Sequence, residues 1–490
     1  MNLKSHFSRT GRTFLFMFIL FLIIGEYSVF SQERFRKSPP YPDPLPTFKL
    51  PSIETAFLSN GLAISVVPRE NFPIIHLHLL VFAGESFSPD DLPGLATLTA
   101  KTINKGSLNY SSSKIEEDIE SIGGQFSSKS YPDYSLFSFS FLEEHLDKAI
   151  EIVSRMILQP AFLKKEVDNT KRTMYYESIR NSSNAEFIAN KLLFQILFKD
   201  HAYKKIAYNS DVIKNLNIKD LLNFFDKFYR PNNAHLVFTG NINLTTATRI
   251  TSRYLNTWKS SPLENYYFFQ PKSNDKLRVC FIDHPKARDA TVYLGNIVFP
   301  ESTQDIIGLK VFNQVLGGTP NSRLFMNLRE SKGYAYYAFS NLEVFKTCCL
   351  FTIRAKVRPV TINESIKEIL NEIKKITSTI IPNYELEQAK SYLIGHFPLE
   401  METHNNLSLK VSEIQAFNFG EEHWNKYYEN IMIITPQTVF EIIKYSSLLF
   451  PVIIVVGDKN IIAQNLKDFD VEVYDTNGIL QYSISKGEKK

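Results

Sequence analysis

One plan of landmarks is written twice along this chain, and that repeat limits what it can fold into. The first copy spans residues 54–258 and the second 276–470. Each copy opens on strands. Asn60-Gly61 is a hairpin-turn signal, with Leu62, Ile64 and Val66 alternating after it. Residues 279–282 and 290–298 take that part in the second copy. A helix of small and apolar residues follows, near 92–106 and near 305–316. Leu146, Ala149, Ile150, Val153, Met156 and Ile157 then fall at helical spacing, as do Ile366, Ile369, Leu370, Ile373 and Ile376. Both stretches end before a proline, Pro160 and Pro382, and another helix with an acidic start follows at Glu166 and Glu385. Each copy closes on an apolar strand ending in glycine, Gly240 and Gly457. Strands and helices mixed in this order predict an α+β chain of two domains, each a mostly antiparallel sheet with helices packed on one face.

A length of 490 residues suits two domains of that size better than one core. The formal charge is +4, and Lys4, Arg9 and Arg12 against Glu26 place part of it at the N-terminus. The remainder gives no electrostatic case for nucleic acid or an acidic membrane surface. The basic start, the apolar run at 14–25 and the small residues ending at Ser31 read as a signal peptide, 1–31. That run is shorter than the roughly 20 residues a spanning helix needs. The expectation is an exported, periplasmic protein with no membrane span after cleavage; an uncleaved anchor stays open. A proline-rich linker, 32–53, follows, and 259–275 and 471–490 read as an interdomain linker and a C-terminal tail. Cys280, Cys348 and Cys349 are too few for a disulfide framework and read as core residues.

The stretch Gly94-Leu95-Ala96-Thr97-Leu98-Thr99-Ala100-Lys101, continuing to Lys105-Gly106-Ser107, resembles the metal-site helix of the pitrilysin/insulinase family of zinc metallopeptidases. That family's pattern runs roughly Gly-x-Ala-His-x-x-Glu-His-x-x-x-Lys-Gly-Thr. The runs Phe228-Tyr229-Arg230-Pro231-Asn232-Asn233-Ala234 and Leu316-Gly317-Gly318 through Ser322-Arg323-Leu324-Phe325 are also characteristic. The resemblance implies homologous halves that close like a clam, forming a cavity around a peptide. In active members two histidines one helical turn apart hold zinc, and a Glu between them deprotonates the bound water. Thr97, Ala100 and Lys101 stand at those three positions. The position of a further zinc ligand, a Glu 76 residues after the second His, is kept as Glu177. No catalytic residue is intact, so no metal is expected on this chain. Lys101 either pairs with Glu177 in place of the lost metal or leaves it a solvated helix residue.

Histidine offers no second route to zinc. The ten histidines contain no pair four apart; His76 and His78 share one face of a strand, but no third ligand is suggested. The segment Leu328-Arg329-Glu330-Ser331-Lys332-Gly333-Tyr334-Ala335-Tyr336 resembles the family's Arg-x-x-x-Gly-x-Ala-Tyr element. There the Arg and Tyr hydrogen-bond the substrate backbone and steady the oxyanion, which places Arg329 and Tyr336 in substrate binding. Gly333 between them would permit close chain approach. The resemblance therefore implies the non-catalytic, substrate-binding subunit of a heterodimeric zinc endopeptidase. Its partners would be a zinc-binding paralogous peptidase subunit, which holds the zinc cofactor, and a peptide substrate. The alternative is an inactive peptide-binding or scaffold protein of an envelope assembly.

Overall fold

Gly61 takes φ +88°, a left-handed value that other residues adopt only at a cost. The Asn60-Gly61 turn thereby pairs β1 (Glu54–Phe57) antiparallel with β2 (Ala63–Pro68). The structure, a computed structural model, describes residues 51–487 apart from 209, 265, 267, 301, 445 and 463, all within the unit Thr47–Lys490. The expected signal, 1–31, and the linker up to residue 50 lie outside the described residues.

The first sheet adds β3 (Ile74–Val81), β4 (Gln125–Ser130), β5 (Ser135–Leu142) and β6 (Ala234–Gly240) in the order β1-β2-β6-β3-β5-β4. The second contains β7 (Arg278–Asp283), β8 (Ala290–Val298), β9 (Ala335–Val344), β10 (Cys349–Val357), β11 (Val452–Gly457), β12 (Val471–Tyr474) and β13 (Leu480–Ile484). Its order is β13-β12-β7-β11-β8-β10-β9. The run β2-β6-β3-β5-β4 thus recurs as β7-β11-β8-β10-β9. In each the first pair is parallel and the rest antiparallel. The repeated landmarks are a repeated topology. Residues 471–484, expected as tail, instead extend the second sheet beyond β7, because Val471 and Val473 alternate into its core.

The helices that matter below are α1 (Leu95–Thr102), α2 (Leu146–Leu158), α3 (Lys164–Asn181), α4 (Ala185–Leu197), α5 (Thr303–Asn313), α6 (Ile362–Ser378), α7 (Asn383–Glu400) and α8 (His404–Phe417). The amphipathic stripes bury as their spacing predicts: Ile150, Val153 and Ile157 on α2, and Ile366, Ile369 and Ile373 on α6.

Two helices cross between the copies. α4 belongs to the first copy by sequence, yet its Ile188, Leu192 and Leu193 share a core with Cys280, Ile282, Ile297 and Ile454 of the second sheet. α8 does the reverse: Leu407, Val411 and Ile414 share a core with Leu80, Leu136 and Val237 of the first. Each such side chain contributes about 1.5–3 kcal/mol when buried. The boundaries 54–258 and 276–470 therefore divide the sequence and not the packing. The hairpin tips are tied as well. Buried Asp133, between β4 and β5, accepts from the Tyr203 hydroxyl at 2.7 Å and from the backbone N–H of Lys346, between β9 and β10, at 3.0 Å.

Candidate functional site

α1 begins at Gly94, whose φ of +92° turns the chain into the helix. Its Leu95, Ala96, Leu98 and Ala100 are buried in the first core, leaving Thr97 and Lys101 one turn apart on the more open side. The helix start is capped from a distance. Glu85, in the loop after β3, is buried and accepts from the backbone N–H of Gly94 and from the Ser88 hydroxyl at 2.9 Å. It also accepts from Thr97 twice, through the backbone N–H at 3.2 Å and the hydroxyl at 2.8 Å. Burial pushes the Glu85 carboxyl up, and these four donors oppose that. Ser88 in turn accepts from the Ala96 N–H at 3.1 Å.

Lys101 Nζ lies 2.8 Å from Glu177 Oε2 on α3, so of the two readings the ion pair forms. Tyr208 fills the neighbouring space, its ring 3.2 Å from where a Cβ on Gly94 would stand. Burial, with the carboxylates of Glu85 and Glu177, raises its phenol. These residues do not fit zinc. The Thr97 hydroxyl is spent on the helix cap, Ala100 is buried without a donor atom, and the kept carboxylate is bonded to an ammonium group. Among the described residues no three His, Cys, Asp or Glu side chains gather as a metal would require. Glu85 and Tyr208 were not legible in the sequence. Glu85 reaches α1 from a short 3-10 turn after β3 and Tyr208 from far down the chain, and no spacing rule links either side chain to the helix start.

His76 and His78 face α8. His78 is buried, with Nδ1 3.3 Å from the Ser412 hydroxyl and Nε2 3.2 Å from the Asn405 amide oxygen. His76 meets the His404 ring edge to face at 6.0 Å. Burial holds both His76 and His78 down to about 4, so they stay neutral between the halves.

In the second half, Arg329 and Tyr336 stand at the two ends of one turn, both exposed. The Arg329 guanidinium lies over the Phe325 ring at 4.8 Å, with Nε 3.5 Å from Glu330 Oε1. Gly333 takes φ +60°, and no atom lies within 4 Å of a Cβ placed on it. Its task is the left-handed turn, and not the close approach its position suggested. The turn is braced from α6: Lys332 pairs with Glu368 at 3.0 Å, and Asn327 donates to Glu368 at 3.1 Å and Glu372 at 2.9 Å. Tyr336 has a special place. Tyr337 pairs with Lys356 and Ala335 with Val357, so Tyr336 is the extra residue of a β-bulge on the sheet's edge strand. A bulge re-aims the side chain it expels, and Tyr336 is 55% exposed. Among the described residues no hydrogen bond or ion pair joins Arg329 or Tyr336 to Lys101 or Glu177.

Known proteins resemble this chain in sequence and fold. Residues 68–211 match the profile of the insulinase family, peptidase family M16, and residues 215–393 match that of the M16 inactive domain. The chain belongs to the insulinase family. It is 24% identical over 356 residues to a Bacillus subtilis protein named as an uncharacterized zinc protease, YmxG, covering 71% of this chain and 84% of that one. A Helicobacter pylori protein named as a non-peptidase homolog, YmxG, is 23% identical over 348 residues, covering 70% and 80%. A crystal structure of an M16 inactive domain from Pseudomonas fluorescens superposes with TM-score 0.78 at 19% identity, over 83% of this chain and 98% of that one. This insulinase-family member lacks the His-x-x-Glu-His motif. No helix among its described residues is long and apolar enough to cross a membrane.

Proposed function

We propose that this chain is the non-catalytic, substrate-binding subunit of an exported heterodimeric zinc endopeptidase. Arg329 and Tyr336 reach a peptide whose scissile bond is attacked at zinc on a paralogous partner, which also supplies the general base. One contrast carries this reading. The first half has turned its metal positions into a helix cap and an ion pair, while the second half keeps an expelled tyrosine and a guanidinium on a braced turn. A phenol and a guanidinium both donate hydrogen bonds without deprotonation, which suits them to a substrate carbonyl as it gains negative charge. The non-peptidase name of the Helicobacter pylori relative agrees with the absent motif.

Purified alone, the chain should bind no stoichiometric zinc and cleave no peptide. Chelator-sensitive hydrolysis by the isolated chain, with zinc in metal analysis, would overturn the reading.

A further inference from the structure

The face of the second sheet that carries Tyr337 is only partly covered. Strand alternation puts Leu350, Thr352, Arg354 and Lys356 of β10 on that face. Arg354 lies between Tyr293 of β8 and Phe339 of β9, and Lys356 lies beside Tyr337. α4 buries the Leu350 end of the face. At the other end the Tyr337 hydroxyl donates to Glu186 of its first turn. Beyond it Arg354 is exposed, Tyr337 and Phe339 stack at 6.1 Å, and the bulge at Tyr336 adjoins them.

The charges here are unevenly matched. Lys356 is paired with Asp289 at 3.3 Å, and Glu186 accepts from Tyr337. Among the described residues no carboxylate lies within 4.0 Å of the Arg354 guanidinium. Arg354 hydrogen-bonds the Tyr293 side chain, with Glu186 nearby acting on the same tyrosine. A planar fork of donors that no carboxylate reaches within ion-pair distance, rising beside an aromatic platform, matches a carboxylate better than any other peptide group.

We propose that Arg354 is a specificity-determining residue, which takes the carboxylate of an aspartate or glutamate in an extended peptide gripped by Arg329 and Tyr336. This rests on the peptide-binding reading above and names its substrate class: peptides acidic near the gripped segment.

The test is fluorescence anisotropy on the whole exported chain, with fluorescein-labelled peptides of Ser, Gly and Ala carrying one glutamate at successive positions. Each peptide has a glutamine twin. At low salt the best glutamate peptide should bind about tenfold tighter than its twin, as a charge-assisted pair predicts. Arg354→Gln, a surface change checked by circular dichroism, should erase that preference while leaving affinity for the glutamine twin unchanged. Arg354→Lys should keep part of it, as a point charge without the fork. Equal binding of twins by the unaltered chain, or a preference that survives Arg354→Gln, overturns the proposal. A chain that binds neither twin, or an Arg329→Ala/Tyr336→Phe variant that holds both as tightly as before, overturns the peptide-gripping reading instead.

Discussion

At the scale of single residues, the first half's lost chemistry is visible as reassigned hydrogen bonds. Removing the Glu85 carboxylate would orphan the Gly94 and Thr97 N–H groups and two hydroxyls in a buried place. Glu85→Ala is therefore expected to cost about 3 kcal/mol or more by urea denaturation, and Glu85→Gln less, because the amide oxygen still accepts. The ion pair beside it is different in kind. Lys101 and Glu177 are 34% and 43% exposed, so solvent screens their attraction. A double-mutant cycle with Lys101→Met and Glu177→Gln should give a coupling below about 1 kcal/mol. A larger coupling would mean the pair holds α1 to α3 as a metal would. Thr97, Ala100, Lys101 and Glu177 were legible through the family resemblance, whose motif fixes a helix turn and an offset that can be counted along the sequence. Glu85, Tyr208 and Arg354 were not, since cross-loop and cross-strand neighbours exist only once the chain has folded.

At the scale of elements, the contact of β3 with α8 carries a pH dependence. His76 and His78 sit near 4 in the fold and His404 is lowered too, each chiefly by burial, against about 6.5 when exposed. Between those values the unfolded chain binds protons that the folded one refuses. This part of the stability is complete above about pH 6.5 and is lost as pH falls toward 4. For His78, which is fully buried, the loss is about 2 kcal/mol by pH 5, read from urea midpoints at pH 7 and pH 5. His78→Gln should shrink that difference, and an unchanged one would show that His78 titrates normally. The hairpin at Asn60-Gly61, the α2 and α6 stripes and the glycine-ended strands followed from local pattern. The bulge at Tyr336 did not, because a bulge is a statement about register with β10 and needs both strands.

At the scale of the whole molecule, the exchange of α4 and α8 joins two copies that the sequence presents as separate. Neither helix was legible from periodicity, and nothing local says whose sheet an apolar face will cover. Thermal unfolding should accordingly show one cooperative transition. Residues 47–275 expressed alone should be insoluble or unfolded, because Ile188, Leu192 and Leu193 would lose the sheet they cover. A soluble first half with native-like circular dichroism would contradict the shared cores. The most direct test is the peptidase rate of this chain co-purified with a zinc-binding paralogue that carries His-x-x-Glu-His. Arg329→Ala with Tyr336→Phe should lower kcat/KM by about a hundredfold or more with the assembly intact on size-exclusion chromatography. An unchanged rate would contradict the account and leave the chain a scaffold.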